Sequence, residues 1–204
     1  MKKIRLALVL GFVLGLASMA SAQSVDAYFG FNALMAAHTP NLPYLGGGAY
    51  LNVGGDLLWW HGLGIGAEAT WRARQAFYIT PPSATGQQGF EAPFRPVLYD
   101  FNVVWEPASA PWVTPFIEAG VGAASFRFYT PYYSCGYFSG CTNYQSSNHL
   151  MFHLGVAANV YITDHIFIRP MANLYLIRHD YEFGVSSARE FGVAIGYSLR
   201  ATPF

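Results

Sequence analysis

Charge is scarce in this sequence. Only 11% of its 204 residues are Asp, Glu, Lys or Arg, and no lysine occurs after Lys3. Beyond residue 22 eight arginines face eleven acids, a formal charge of −3. That balance gives no basic surface, so nucleic acid is not an expected partner. Past the first 22 residues no apolar run approaches the roughly 20 residues that a membrane-spanning helix needs. There are only two cysteines, too few for a disulfide-built scaffold, and none follows residue 22 closely enough for a lipoprotein anchor. Yet 53% of the chain is hydrophobic and 17% aromatic. So much apolar surface without a spanning helix points to strands that cross a membrane as a barrel.

Residues 1–22 are set apart. Lys2, Lys3 and Arg5 precede an apolar stretch from Leu6 to Leu16, and Ala20-Ser21-Ala22 offers small residues for cleavage. This is the pattern of a secretory signal peptide, which leaves 23–204 as one domain.

Leu63 to Arg74 shows how that domain is written. Leu63, Ile65, Ala67, Ala69, Trp71 and Ala73 share one parity, and Gly64, Gly66, Glu68, Thr70, Arg72 and Arg74 share the other. Period two predicts a strand with one apolar and one charged face. The same alternation predicts strands over 25–37, 48–59, 95–105, 112–124, 150–162, 166–177 and 190–199, with Pro170 expected to bulge or break the pairing of its strand. Between the eight strands lie loop segments of about eight residues (38–45), three, nineteen (75–93), six (106–111), twenty (129–148), three and about ten. Long connections therefore fall at one end and short turns at the other. Trp59, Trp60, Trp105 and Trp112 gather at the short-turn end, as an aromatic girdle would. The expected fold is all-β, an eight-stranded antiparallel up-and-down transmembrane barrel.

The strand and turn rhythm, with the closing Glu190-Phe191-Gly192-Val193-Ala194-Ile195-Gly196-Tyr197, resembles the superfamily of small outer-membrane barrels that includes the OmpA transmembrane domain and the OmpX/Ail and OmpW types. The resemblance implies an assembly signal at Gly192, Ile195 and Tyr197 read by the barrel-assembly machinery, with Pro203 and Phe204 falling outside the strand. It also implies a monomer in the outer membrane of a Gram-negative cell, amid outer-membrane lipid and lipopolysaccharide, with long loops extracellular and the mature termini periplasmic. No peptidoglycan-binding half is expected after the barrel.

The polar parity gathers Asp56, Glu68, Arg72, Asp100, Glu118, Arg169 and Glu190. Pointing into one narrow lumen, these charges are expected to pair, with Arg72 and Arg169 as the centres of the network. The rival expectation is a water-filled path between them. Catalysis is not expected: the lumen is too narrow for a glycosidase carboxylate pair to reach a sugar. The lipid A deacylase pattern, a histidine two residues before a serine, is missing, since Met151 follows His149 and Gly155 follows His153. His38, His149 and His179 carry no metal-ligand spacing, so neither metal nor cofactor is expected. Cys135 and Cys141 should form a disulfide in an oxidising compartment.

The third long connection carries the functional expectation. From 130 to 148 there is no charged residue, while Tyr132, Tyr133, Tyr137, Phe138 and Tyr144 are interleaved with serine, glycine and asparagine. Binding loops favour that mixture, and Phe77, Tyr78 and Phe90 of the second connection add to it. The leading reading is a scaffold that displays loops to a host surface, a neighbouring protein or lipopolysaccharide sugars. A small-solute pore of OmpW type and a secreted lipocalin-like binding barrel are the alternatives.

Overall fold

The computed structural model describes residues 24–39, 42–79, 91–110, 112–136 and 140–200. The expected signal segment (residues 1–22), Phe90, Tyr137, Phe138 and Phe204 lie outside the described residues. The alternating sequence forms strands β1 (Ser24–Ala36), β2 (Ala49–Trp60), β3 (Leu63–Arg72), β4 (Ala76–Ile79), β5 (Glu91–Trp105), β6 (Val113–Gly136), β7 (Gly140–Tyr161), β8 (Ile166–Ile177) and β9 (Ser187–Arg200). Each pairs antiparallel with its neighbours. β3 follows β5 as far as Trp71↔Val97, and β4 resumes the same edge at Ala76↔Phe94, so the two make one stave. β1 meets β9 from Ser24↔Arg200 to Ala36↔Ala188, which closes an eight-stave barrel. Closure lets strand backbones satisfy one another without water.

Burial runs the opposite way from a water-soluble barrel. Phe31 is 63% exposed, Phe101 73% and Ile195 60%, whereas Arg169 is 1% exposed and Glu190 0%. The apolar parity faces out and the charged parity faces in. A lipocalin-like barrel would reverse this, because its apolar side chains must leave water. Trp59, Trp60, Trp105 and Trp112 are exposed at the short-turn end.

The turns follow from local chemistry. His61 and Gly62 link β2 to β3 with φ of 49° and 77°, the double left-handed geometry that suits a two-residue hairpin. A Cβ at Gly62 would also lie 2.4 Å from the Glu106 carbonyl oxygen, so glycine is required there twice over. Between β7 and β8 the Thr163 hydroxyl accepts the Ile166 N–H at 3.0 Å.

Pro170 does break its ladder on one side. Pairing of β7 with β8 lapses between Ala157↔Met171 and Val160↔Ile168 and resumes in the same register, while Pro170↔Val193 holds toward β9. A missing N–H removes one neighbour's bond and leaves the strand path intact.

The third long connection differs from expectation. It is mostly strand, because β6 runs to Gly136 and β7 starts at Gly140. Beyond the barrel both faces of a hairpin can be polar, so no alternation marks it in the sequence.

Candidate functional site

The interior is layered. At the short-turn end Asn159 donates to the Asp26 carboxylate at 2.8 Å, and the Ser198 hydroxyl donates to its other oxygen. Above it Arg169 of β8 donates one guanidinium nitrogen to Asp56 of β2 and another to Glu118 of β6. Its guanidinium carbon lies 4.3 Å from the centre of the Tyr28 ring and 5.0 Å from that of Phe116. Two ion pairs and two rings hold this one cation across the lumen.

Higher still, the Tyr28 hydroxyl donates to Glu68 at 3.0 Å. The Tyr175 hydroxyl stands 3.1 Å from both Glu68 and Glu190, and Asn32 donates to Glu190 at 2.7 Å. His153 Nδ1 lies 3.0 Å from Asn102 and 3.4 Å from Asp100. The structure thus brings Asp56, Glu118 and Arg169 together, and Glu68 with Glu190. Asp100 pairs with His153, whose ring centre lies 5.0 Å from that of Tyr175. Tyr28, Tyr175, Asn32 and Asn173, which donates to Glu190 at 3.2 Å, are buried members that charge alone does not single out; their shared inward parity is the available signal.

Arg72 departs from the expected arrangement. Among the described residues it makes no ion pair; its guanidinium carbon sits 5.8 Å from the Phe94 ring at the long-loop end of β3. Its parity is inward, but its height carries it past the lumen carboxylates.

That end is closed by apolar side chains. Leu34, Leu45, Phe94, Phe126, Met151 and Phe183 are buried in one cluster. Phe183 comes from the β8–β9 connection, with ring centres 4.4 Å from Phe126 and 5.3 Å from Phe94. The Phe183 N–H donates to Asp180 at 3.0 Å. Burial pushes the Asp180 carboxyl up to about 6, opposed by that N–H.

Of the histidines weighed for a metal, His38 packs against Tyr44 and His179 against Tyr181. His149 instead meets Glu182 at 3.0 Å and the Ser147 hydroxyl at 2.9 Å, both at Nε2. A hydrolytic triad needs its acid on the other ring nitrogen, so this arrangement is not one.

The β6–β7 hairpin at the long-loop end starts from Tyr129 and Tyr144, whose ring centres are 5.9 Å apart, with Arg127 over Tyr144 at 5.2 Å. Tyr132 and Tyr133 lie on the hairpin part of β6, and Cys135 is in register with Cys141. In the closing strand Ile195 and Tyr197 point outward and exposed, while Gly192 lies against Asn32 across the β1–β9 seam.

No family model and no curated protein matches the chain in sequence. Solved structures match in shape. Ail, the attachment invasion locus protein of Yersinia pestis, superposes with a TM-score of 0.53 at 11% identity, covering 86% of this chain and 98% of Ail. Neisserial surface protein A gives 0.53 at 9%, covering 87% and 96%. OprG of Pseudomonas aeruginosa gives 0.52 at 11%, covering 89% and 98%. The fold is that of the small eight-stranded outer-membrane barrels. At such identities the likeness concerns the fold, and function must come from this chain's own residues.

Proposed function

We propose that the protein is an outer-membrane barrel with a sealed lumen that serves as a scaffold, presenting the β6–β7 hairpin outside the cell to a partner surface. The observation that carries this is strand length. β6 and β7 have 24 and 22 residues, whereas β1, β2, β3, β5, β8 and β9 have 10 to 15. The last β5 partner on β6 is Phe128, and the last β8 partner on β7 is Met151. From Tyr129 to Gly136 the hairpin pairs only with itself; β6 carries extra residues between Tyr129 and Ser134, and the partner stretch Gly140 to Tyr144, five residues at about 3.3 Å each, reaches about 16 Å.

A projection of that length contributes little to barrel closure, and its composition suits contact. Tyr132, Tyr133, Tyr137, Phe138 and Tyr144 supply large, stiff surfaces among serine, asparagine and glycine. Cys135 and Cys141 face each other in register, and residues directly opposite in an antiparallel pair are about 4.5–5.5 Å apart at Cα, within disulfide reach. In this proposal they are joined, which pre-orders the tip and lowers the entropy lost on binding. Ail has been solved with the heparin analogue sucrose octasulfate. The hairpin here carries no charge from 130 to 148, so it suits neutral sugar or protein surfaces better than sulfated ones.

The pore reading is opposed by the Arg169 crossing and by the apolar closure around Phe183. The test replaces 130–148 with a short Gly-Ser linker, verifies the barrel by heat-modified gel mobility, and compares attachment to host cells, envelope proteins and lipopolysaccharide. Attachment should fall while mobility and conductance stay unchanged. Equal attachment by both forms would remove the display role.

A further inference from the structure

We propose that His149, Asp180 and Glu182 form a divalent cation site of zinc class that fastens the β8–β9 connection to β7 at the outer mouth of the barrel. His149 lies on β7 two residues beyond the rung Met151↔Ile177, and the connection lies alongside, its Arg178 N–H donating to the Leu150 carbonyl at 2.9 Å. His179 then takes a φ of 57°, a sharp local turn, and Asp180 and Glu182 follow on alternate residues. One ligand atom from each of the three side chains lies within 4.8 Å of the others, and His149 Nε2 is 3.0 Å from Glu182.

Asp180 supplies the independent reason for an ion. It is 7% exposed, its Oδ1 accepts the Phe183 N–H, and its buried Oδ2 has no hydrogen-bond partner among the described residues. An unsatisfied buried carboxylate oxygen is costly, and a cation removes that cost. Among the described residues no arginine lies within ion-pair distance of Asp180 or Glu182.

Donor type narrows the ion. Two carboxylates neutralise a divalent charge, and an imidazole nitrogen favours zinc over calcium or magnesium, which take oxygen ligands. Ligands about 2.1 Å from a tetrahedral zinc stand roughly 3.4 Å apart, so side-chain shifts of about an ångström complete the shell, with water in the fourth position. An ion held here would tie Phe183, two residues beyond the aspartate's neighbour Tyr181, into the apolar closure.

The test uses the full protein in detergent, stripped with chelator and titrated with Zn2+ against a chromophoric zinc indicator. One Zn2+ per chain should bind, undisturbed by millimolar Ca2+ or Mg2+. Asp180→Asn, Glu182→Gln and His149→Ala should each weaken binding at least about tenfold, a loss that even outer-shell changes around a metal commonly cause. His179→Ala should bind like the parent. Because a variant can fail to fold, Co2+ is also added to the unmutated protein, where the visible band of a four- or five-coordinate ion is expected. No bound Zn2+, binding equal in all variants, or only the hexaaquo Co2+ spectrum would overturn the site.

Discussion

Replacing Arg169 by alanine is the sharpest perturbation of the barrel interior. The guanidinium is 1% exposed, pairs with Asp56 and Glu118, and lies between the rings of Tyr28 and Phe116. Removing one partner of a buried ion pair typically costs about 3–5 kcal/mol, because the remaining charge is left uncompensated. Here one deletion strands two carboxylates and empties the space between two rings, so the upper end of that range applies. A loss of about 4–5 kcal/mol is a factor of about 10³ in the folding equilibrium. The assay is urea titration of the barrel in lipid vesicles, read by heat-modified mobility and tryptophan emission. The triple variant Arg169→Met, Asp56→Asn, Glu118→Gln should recover most of the loss, since replacing the whole buried group by neutral side chains is often nearly neutral. A shift below about 1 kcal/mol for Arg169→Ala, the size of an exposed pair, would refute the reasoning.

Other perturbations separate the remaining claims. Arg72→Ala should cost no more than about 1 kcal/mol by the same titration, since it loses a ring contact and no ion pair. Gly122→Ala should destabilise by about 1–3 kcal/mol, because its Cβ would lie 1.9 Å from the Tyr99 carbonyl oxygen and force the β5–β6 backbone apart. Phe183→Ala should loosen the apolar closure, seen as faster amide exchange across 178–186 with little change in the strands. Cys135 and Cys141 should resist alkylation until reduced, and the double serine variant should still show barrel mobility, since the hairpin tip lies beyond the rungs shared with other staves.

Strand parity was legible because the membrane and the lumen impose opposite chemistries on alternate residues, as in Val25 to Met35 and Leu63 to Trp71. Where that contrast ends, so does the signal: β6 and β7 run on as strands through 129–136 and 140–148 although nothing in their polarity alternates. Parity also says nothing of height along the barrel. Arg72 and Arg169 both face inward, yet the register of β2 and β3 sets Arg72 opposite Tyr50, beyond the carboxylates, while Arg169 lands between Asp56 and Glu118. The His149 cluster was hidden for a related reason. Its acids lie on a connection about thirty residues downstream, and only the path of that connection back over β7 brings them to the imidazole.

A barrel that spans the membrane must turn its apolar belt to lipid. Spin labels placed singly at Phe101, Val103, Val193 and Ile195, in a Cys135→Ser, Cys141→Ser background reconstituted in vesicles, test that belt most directly. These side chains are 73%, 59%, 53% and 60% exposed. Relaxation by oxygen, which concentrates in hydrocarbon, should be strong at all four, and relaxation by a water-soluble nickel chelate weak. Strong nickel relaxation with weak oxygen relaxation at these positions would place the belt in water and contradict the account.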